Sequence, residues 1–246
     1  MPVPSPRSSS VTHAQDVRRL RDLLRAAISG GRFPDGRVPG EGELMVGFGA
    51  SRSTVREALG LLAAEGVVRG TSSRYEQATY EVAGFVPTPP APPVLRAVDP
   101  SVEPVGSRVL DRSGLAAPAP LAAWLDVGPG SPCLRIEFLV LHHGVPSAVE
   151  THYVVHPEAG DLIGIPMRGS WETLLDDAGL RRGRTDTWGG RIPADPAVAE
   201  LLGVAPGSDL VGVEQTTFDP SGRVLDGAVL RIRSDVPRAG TLRPAG

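Results

Sequence analysis

Apolar residues recur at helical spacing in two segments near the start of the chain. Between residues 13 and 29 they line one side of a predicted helix, at Val17, Leu20, Leu23, Leu24, Ala27 and Ile28. Within residues 41–66 a second set repeats at i, i+3, i+4 and i+7, namely Val55, Ala58, Leu59 and Leu62. A period near 3.6 residues places such positions on one face of a helix. Each segment is therefore predicted to form an amphipathic helix packed against a core.

The polar residues of 41–66 indicate what this region presents to solvent. The stretch predicts a short helix, a tight turn at residues 48–50 and a second helix that opens with hydroxyl and guanidinium groups. Arg52, Ser53 and Arg56 fall off the apolar stripe, near the N-terminal end of the second helix. This is where a helix-turn-helix protein presents side chains to the major groove of DNA.

These residue types suit contacts with double-stranded DNA. The guanidinium groups of Arg52 and Arg56 can bind a guanine edge through two hydrogen bonds or contact a phosphate. Ser51, Ser53 and Thr54 suit the N-cap of the helix and can donate hydrogen bonds to phosphate oxygens. We therefore expect these residues to bind a DNA operator. The alternative is an ordinary pair of surface helices that carries a few arginines.

The run LxxxFGASRSTVREALGLLAAEG resembles the DNA-binding signature of the GntR family of bacterial transcription regulators. The preceding GGRFPDGRVPGEGEL is similar to that family's glycine- and proline-containing approach to its second helix. The resemblance implies a winged helix-turn-helix domain, which we assign to residues 13–84. Gly42 departs from the pattern because many relatives have an arginine there. One contact with DNA is therefore expected to be missing.

A winged hairpin is predicted after Gly66, where VVRGTSSRYEQATYEV places two short β-favouring pieces around a polar turn. Relatives usually carry a glycine-rich wing tip that enters the minor groove. Here the tip is TSSRYEQ, which contains Arg74 and Tyr75. Because narrow minor grooves attract arginine, Arg74 is expected to make the wing contact.

Two segments outside this domain are predicted to lack a packed fold. Residues 1–12 are rich in serine and proline, which is typical of a disordered tail. Residues 85–100 contain closely spaced prolines, which favour an extended and semi-rigid linker. The linker therefore separates two domains.

Beyond residue 101 the pattern changes to alternating strands and helices. Apolar runs predict strands at 133–143, 147–155, 209–219 and 224–235, with a turn at 144–146. Amphipathic stretches predict helices at 121–125, 170–180 and 195–204. This order predicts an α+β fold with a largely antiparallel sheet.

Residues 105–236 resemble the effector-binding UTRA domain of the HutC branch of GntR regulators, and we assign that domain to residues 101–240. The resemblance is carried by the GVP turn with Glu150 and Tyr153 after it, by GSW at 169–171, and by PADPAVAELLGV and DPSGRVLDGAVLRIRSD. It implies a mixed α/β domain related in fold to chorismate lyase. An enzyme is therefore one alternative function.

The resemblance also predicts an effector site. In relatives that bind sugar phosphates, two arginines lie two residues apart in the strand before the GVP-like turn, and Phe138 and Val140 occupy those positions here. Since arginine is suited to binding phosphate, their absence argues against a phosphosugar and favours a neutral or apolar effector. The other effector-site residues implied are Glu150, Tyr153, Ser170, Trp171, Asp226 and Arg233. The alternatives are a structural salt bridge or a solvated strand face for Glu150, Asp226 and Arg233, and core packing for Trp171.

The charge distribution permits DNA binding without demonstrating it. The formal net charge of the 246 residues is −3. Residues 1–85 hold 11 arginines against 9 acidic residues, whereas residues 86–246 hold 14 against 19. A weakly basic first domain on an acidic second domain is compatible with nucleic acid as a partner.

Neither a metal nor a cofactor is predicted. Cys133 is the only cysteine, which excludes an intrachain disulfide and a cysteine-based zinc site. His142, His143, His152 and His156 are close in sequence, but hairpin spacing does not bring three of them together. No order of Ser, His and Asp or pair of carboxylates indicates catalysis. The chain also lacks an apolar stretch typical of a membrane span or signal peptide, so a cytoplasmic protein is expected.

The residues and the resemblance together predict a ligand-responsive transcription regulator. It is expected to bind an inverted-repeat operator as a homodimer, since a two-fold dimer matches two half-sites. Repression is the commoner outcome in the family. Two alternatives are a lyase-like enzyme and a constitutive DNA-binding module whose cavity is filled by its own side chains, Phe138 and Trp171 among them.

Overall fold

The computed structural model describes residues 6–29, 33, 35–71, 79–82 and 105–235. The chain divides into two compact units, residues 1–86 with 118–124 and residues 87–117 with 125–246. Residues 118–124 belong to the first unit, although the sequence pattern assigns them to the second domain. Among the helices in the described ranges, none is long and apolar enough to cross a membrane.

The first unit has the predicted winged helix-turn-helix fold. Its described elements are α1 (Pro6–Ser29), β1 (Arg37–Val38), α2 (Glu41–Phe48), α3 (Arg52–Ala64), β2 (Val68–Thr71), β3 (Thr79–Val82) and α4 (Ala119–Trp124). The three strands form an antiparallel sheet in the order β1-β3-β2. Residues 72–78, with the predicted wing tip, and the predicted linker at 85–100 lie outside the described residues.

The apolar stripe of α3 forms the core of this unit. Val55, Leu59 and Leu62 are fully buried and pack with Leu24 of α1 and Leu44 of α2. Burying one such side chain contributes about 1.5–3 kcal/mol, so the stripe fixes how α3 is rotated. The polar side of α3 is consequently directed away from the core.

Helix α1 is longer than the sequence pattern predicts. It begins at Pro6, so residues 6–12 are helical where a disordered tail was expected, and residues 1–5 lie outside the described part. Proline is compatible with the first turn of a helix because the missing N–H would have no partner there. Near the other end, Arg21 and Arg25 pair with Glu65 at 3.0 and 2.8 Å, which ties α1 to the end of α3.

The second unit is a six-stranded antiparallel sheet with short helices. Its elements are β4 (Val105–Ala116), β5 (Pro132–His142), β6 (Val145–Val155), α5 (Glu158–Leu162), α6 (Trp171–Asp177), β7 (Thr185–Pro193), α7 (Pro196–Leu202), β8 (Asp209–Phe218) and β9 (Val224–Arg233). The strand order is β4-β5-β6-β9-β8-β7. The predicted α+β class and largely antiparallel sheet are confirmed, whereas the two edge strands β4 and β7 and helix α5 were not predicted.

The turn between β5 and β6 lies one residue earlier than predicted. It consists of His143 and Gly144, which have φ angles of 50° and 78°, and β6 already begins at Val145. A two-residue hairpin loop of this type needs positive φ at both positions. Glycine adopts such angles without strain. At His143 the two-residue turn imposes a conformation that residues other than glycine adopt uncommonly.

Side chains alternate between the two faces of this sheet. One face packs against α5 and α6, and its apolar part includes Ile136, Phe138, Ala228 and Leu230. We call it the α6 face. The opposite face packs against α7 through a separate apolar cluster, and we call it the α7 face. Two residues of this sheet can contribute to the same site only if their side chains lie on the same face.

Candidate nucleic-acid interface and ligand site

Ser51 sets the start of α3, the helix that carries the predicted DNA contacts. It is the N-cap residue, and its Oγ accepts a hydrogen bond from the Thr54 backbone N–H at 3.2 Å. The Thr54 hydroxyl lies 2.8 Å from Ser51 Oγ and is buried, whereas Ser53 is exposed. Thr54 therefore supports the cap from inside, and Ser51 and Ser53 remain at the surface.

Arg52 and Arg56 lie one turn apart on the exposed side of α3. Their side chains are 61% and 63% exposed, so both are accessible. Arg56 Nε donates to the Glu41 carboxylate at 2.9 and 3.1 Å, and Arg52 Nε lies 3.9 Å from it. The hydrogen bond to Glu41 raises the pKa of Arg56. Glu41 thus holds the two guanidinium groups near each other at the surface of the unit.

Helix α2 carries the departure from the family pattern. Gly40 is the N-cap residue, and its backbone N–H donates to Glu43 Oε2 at 3.0 Å. Gly42 is exposed, and a β-carbon added there would meet no atom within 4 Å. The position can accept a larger side chain, so its role in binding is open to direct test. Arg74, the predicted wing contact, lies outside the described residues.

Three stacked rings occupy the α6 face where the effector site was predicted. The Trp171 indole lies over the His152 imidazole, with 3.9 Å between ring centroids and 22° between planes. Phe138 is almost parallel to His152 at 5.6 Å and lies 6.5 Å from Trp171. Because a centroid distance of 3.9 Å is direct ring contact, no further ring fits between Trp171 and His152.

Two carboxylates hold the imidazole from its edges. His152 Nδ1 lies 2.9 Å from Asp226 Oδ2, and Nε2 lies 3.6 Å from Glu150 Oε2, which is an ion-pair distance and too long for a hydrogen bond. Burial lowers the pKa of His152, but the two carboxylates more than offset this effect and raise the pKa to about 9. The ring is therefore a cation at neutral pH.

Several buried polar atoms in this cluster are left without a hydrogen bond. Within the described residues, Trp171 Nε1, Asp226 Oδ1 and His152 Nε2 have no hydrogen-bond partner. An unpaired buried donor or acceptor costs about 1–3 kcal/mol, so such atoms are rare unless a ligand or water completes them. Their proximity indicates a polar site rather than ordinary core packing.

The other predicted effector residues do not all join this cluster. Val140 lies on the same face and is buried in the apolar core. Ser170 caps α6, where its Oγ accepts from the Thr173 N–H at 3.3 Å. Tyr153 and Arg233 do not join the cluster: both alternate to the α7 face, where Tyr153 is opposite Arg135 and Arg233 is opposite Leu210 in the register.

Arg233 has a structural role on that face. Its Nη1 donates to the carbonyl of Leu202, the last residue of α7, at 3.1 Å, and its Nη2 pairs with Asp235 at 2.7 Å. A cation at a helix C-terminus stabilises the unpaired carbonyls. The salt-bridge alternative is therefore the observed arrangement for Arg233.

Two residues of these sites were missed by sequence reasoning. His152 was considered only as a metal ligand, although it lies on the same strand face as Glu150, two residues away. That alternation was a usable signal. Glu41 was not considered because its partner Arg56 is 15 residues away on another helix. Only the packing of α2 against α3 brings these two side chains together.

Comparisons with known proteins support both units. Residues 103–236 match the UTRA domain family, and residues 17–73 match the family described as bacterial regulatory proteins, gntR family. An uncharacterized HTH-type transcriptional regulator of Rhizobium meliloti (strain 1021) is 28% identical over 224 residues, which cover 89% of this chain and 91% of that protein. The HTH-type transcriptional repressor NagR of Bacillus subtilis (strain 168) is 26% identical over 231 residues, covering 88% and 90%.

A solved structure agrees with the fold. The crystal structure of PhnF from Mycobacterium smegmatis superposes with a TM-score of 0.52 and 23% identity, over 86% of this chain and 95% of that one. The UTRA match alone spans more than half of the chain. The chain therefore belongs to the GntR family of bacterial transcription regulators, with a DNA-binding helix-turn-helix domain followed by a ligand-binding UTRA domain.

Proposed function

We propose that the protein is a repressor of the HutC branch that binds an inverted-repeat operator as a homodimer and responds to an effector other than a phosphosugar. The observation that carries this proposal is the exposed pair Arg52 and Arg56 at the N-terminal end of α3. Groups at this end of a recognition helix reach base edges and phosphates. Similarity to a protein named as a repressor supports the sign of regulation.

In the proposed complex each α3 enters a major groove. Arg52 and Arg56 contact base edges or phosphates, while Ser51 and Ser53 donate to the backbone. Arg56 exchanges its bond to Glu41 for one to DNA. Effector binding in the second unit changes how readily two heads engage two half-sites, which is a coupling of two binding equilibria.

The nature of the effector follows from the cluster on the α6 face. Phe138 and Val140 provide no positive charge for a phosphate, and Glu150 and Asp226 add two carboxylates. The His152 imidazolium between them is already bonded to Asp226 and is not available to bind a phosphate. This arrangement supports an effector that is not a phosphosugar.

Selection of genomic fragments by the full-length chain tests the proposal. The expected result is a common motif with two half-sites related by inversion and about one helical turn or a multiple of it apart. Sedimentation of the complex should give two chains per site. A motif with a single half-site, or selection of the same fragments by an Arg52→Ala/Arg56→Ala double variant, would reject the assignment.

A second function, constitutive DNA binding, is favoured by one observation. Phe138, His152 and Trp171 fill the predicted effector site with their own rings. On this view the second unit would serve only in assembly. Operator affinity unchanged by every compound that binds the second unit would support it.

A further inference from the structure

Glu41 is the acidic residue that joins the two exposed arginines of α3. It is the first residue of α2, and its side chain is 9% exposed, although its partners Arg52 and Arg56 are mostly exposed. Within the described residues its carboxylate contacts no cation other than these two. A carboxylate at a DNA-binding surface repels the phosphates of a duplex, so its position there is unfavourable unless it serves the arginines that bind.

The Glu41 carboxylate approaches both arginines at the same atom. Arg56 Nε donates to its two oxygens at 2.9 and 3.1 Å, and Arg52 Nε lies 3.9 Å from Oε2, an ion-pair distance that is too long for a hydrogen bond. The two Nη groups of each guanidinium, which carry four of its five N–H donors, therefore remain available for other partners. These groups can bind a guanine edge or a phosphate through two parallel hydrogen bonds.

Release of Arg56 to DNA does not leave this carboxylate without a cation. Arg52 Nε already lies at ion-pair distance, so a small movement of its side chain replaces the lost hydrogen bond. The second pairing avoids the cost of a nearly buried carboxylate that has no partner. It also fixes the guanidinium of Arg52, the first residue of α3, at the end of the helix that reaches base edges.

We propose that Glu41 is a positioning residue for operator specificity, which exchanges Arg56 for Arg52 when DNA binds and holds Arg52 in the orientation that reads a base edge. The proposal rests on the proposed function, since it requires that both arginines meet DNA. Reading a base edge needs a guanidinium of fixed orientation, whereas a phosphate contact tolerates a mobile one. Glu41 therefore favours operator DNA and, through its charge, opposes binding to any other duplex.

Glu41→Gln in the full-length chain tests this role, because glutamine keeps the size of the side chain and removes its charge. Fluorescence anisotropy at one salt concentration measures affinity for a duplex with the operator motif from the genomic selection and for a scrambled duplex of equal length. We expect operator affinity to fall about 3-fold and scrambled-duplex affinity to rise about 3-fold, since base contacts lose their orientation while phosphate contacts gain net positive charge. The ratio of the two affinities then falls about 10-fold. A purely structural role of Glu41 would lower both affinities together and leave the ratio unchanged.

Glu57→Gln is the matched control for the change in charge. Glu57 follows Arg56 on α3, but its exposed carboxylate pairs with His13 at 3.0 Å and contacts neither arginine within the described residues. Both affinities should rise together in this variant, so their ratio should stay within about 2-fold of the wild-type value. The proposal is overturned if the ratio in Glu41→Gln is less than about 3-fold below the ratio in Glu57→Gln.

A double-variant cycle tests the exchange of partners. In Arg52→Ala no second arginine is left for Glu41 once Arg56 has moved to DNA, so the carboxylate opposes binding. Adding Glu41→Gln to this variant should strengthen operator binding about 3-fold, whereas the same change weakens operator binding when Arg52 is present. Weaker or unchanged operator binding on adding Glu41→Gln to Arg52→Ala would show that Glu41 does not act through Arg52 and would overturn the proposal.

Binding by the wild-type chain separates this proposal from the proposed function. A wild-type chain that prefers the operator, together with an unchanged ratio in Glu41→Gln, would overturn the positioning role alone. A wild-type chain with equal affinity for the two duplexes, or an Arg52→Ala/Arg56→Ala double variant that binds the operator as the wild type does, would overturn both proposals. Urea unfolding of each variant verifies that it is folded at the temperature of the binding measurement.

Discussion

The two units hold charged pairs that differ in how far the cation is exposed. In the first unit Arg56 is 63% exposed and bonds to Glu41, whose side chain is only 9% exposed. In the second unit both partners are buried, since the side chains of His152 and Asp226 are 3% and 1% exposed. When Glu41 is removed, Arg56 stays solvated, and pairs with a solvated partner contribute about 1 kcal/mol or less, whereas breaking a fully buried pair costs about 3–5 kcal/mol.

This difference indicates how each site can work. Arg56 can exchange Glu41 for DNA at little cost, because water and salt already weaken that bond. The His152 ring cannot be exchanged in this way, because its loss would leave the buried Asp226 carboxylate without its bond of 2.9 Å. The first pair can therefore give way to another partner, whereas the second stabilises the fold.

Removing the carboxylate from each pair should show the largest difference between the units. Asp226→Asn leaves a buried imidazolium short of one partner, and we expect a loss of about 3–5 kcal/mol in the free energy of unfolding. Glu41→Gln should cost about 1 kcal/mol or less. Urea unfolding measures both, and Asp177→Asn serves as the control, with a change within about 0.5 kcal/mol. Equal losses for Asp226→Asn and Glu41→Gln would remove the distinction between the two sites.

The pH dependence of stability should also differ between the units. The pKa of His152 is raised from 6.5 to about 9 in the folded chain, so the folded state binds this proton more tightly than the unfolded state does. The stabilisation is fully present below pH 6.5 and is lost as the pH rises through about 9, with a total on the order of 3 kcal/mol.

Urea unfolding followed by Trp fluorescence at the two ends of this range measures the effect. His152→Gln is the matched variant, and its second unit should lose this dependence. If the wild-type protein is as stable at pH 9 as at pH 6.5, the imidazolium is not the form that the folded chain prefers.

The first unit was largely predictable because its information is local. The apolar spacing of Val55, Ala58, Leu59 and Leu62 fixes the buried side of α3 and so exposes Arg52 and Arg56. A helical period relates residues three and four apart, and no distant contact is needed to apply it. Thr54 was expected to donate to a phosphate, but its side chain is buried and its hydroxyl lies 2.8 Å from Ser51 Oγ.

The second unit was predictable in its elements and less so in its site. Four of its strands and two of its helices, α6 and α7, were located, but the faces on which their side chains meet depend on the register between distant strands. Glu150 and Tyr153 differ by three positions and therefore point to opposite faces. Only the pairing of β6 with β9 brings His152 near Asp226, 74 residues along the chain.

Replacing each arginine of α3 should have an intermediate effect on operator binding. We expect Arg52→Ala and Arg56→Ala each to cost about 1–3 kcal/mol if the lost contact is with a base edge. If the contact is with a phosphate, the loss should be similar for all sequences, and the slope of log affinity against log salt should fall by about 1. Arg191→Ala, an exposed change on β7, is the control. Full affinity in both variants would contradict the assigned role.

Restoring an arginine at position 42 should give the smallest effect, as a gain. Gly42 is exposed on α2, and a β-carbon there meets no atom within 4 Å, so Gly42→Arg is sterically allowed. A new phosphate contact should strengthen operator binding by about 1 kcal/mol and steepen the salt slope by about 1.

The matched variant Gly42→Ala separates this contact from a gain in helix stability. Both changes remove a glycine from the first turn of α2 and should stabilise the helix by less than about 1 kcal/mol, since glycine is a poor helix former. Only the arginine can add a charge near DNA, so only Gly42→Arg should change the salt slope. If alanine and arginine strengthen operator binding equally, the gain comes from a more stable α2, and the DNA-binding surface of the first unit is confined to α3. If only arginine does so, the DNA-binding surface extends to α2, where an arginine side chain can make a contact that Gly42 cannot make.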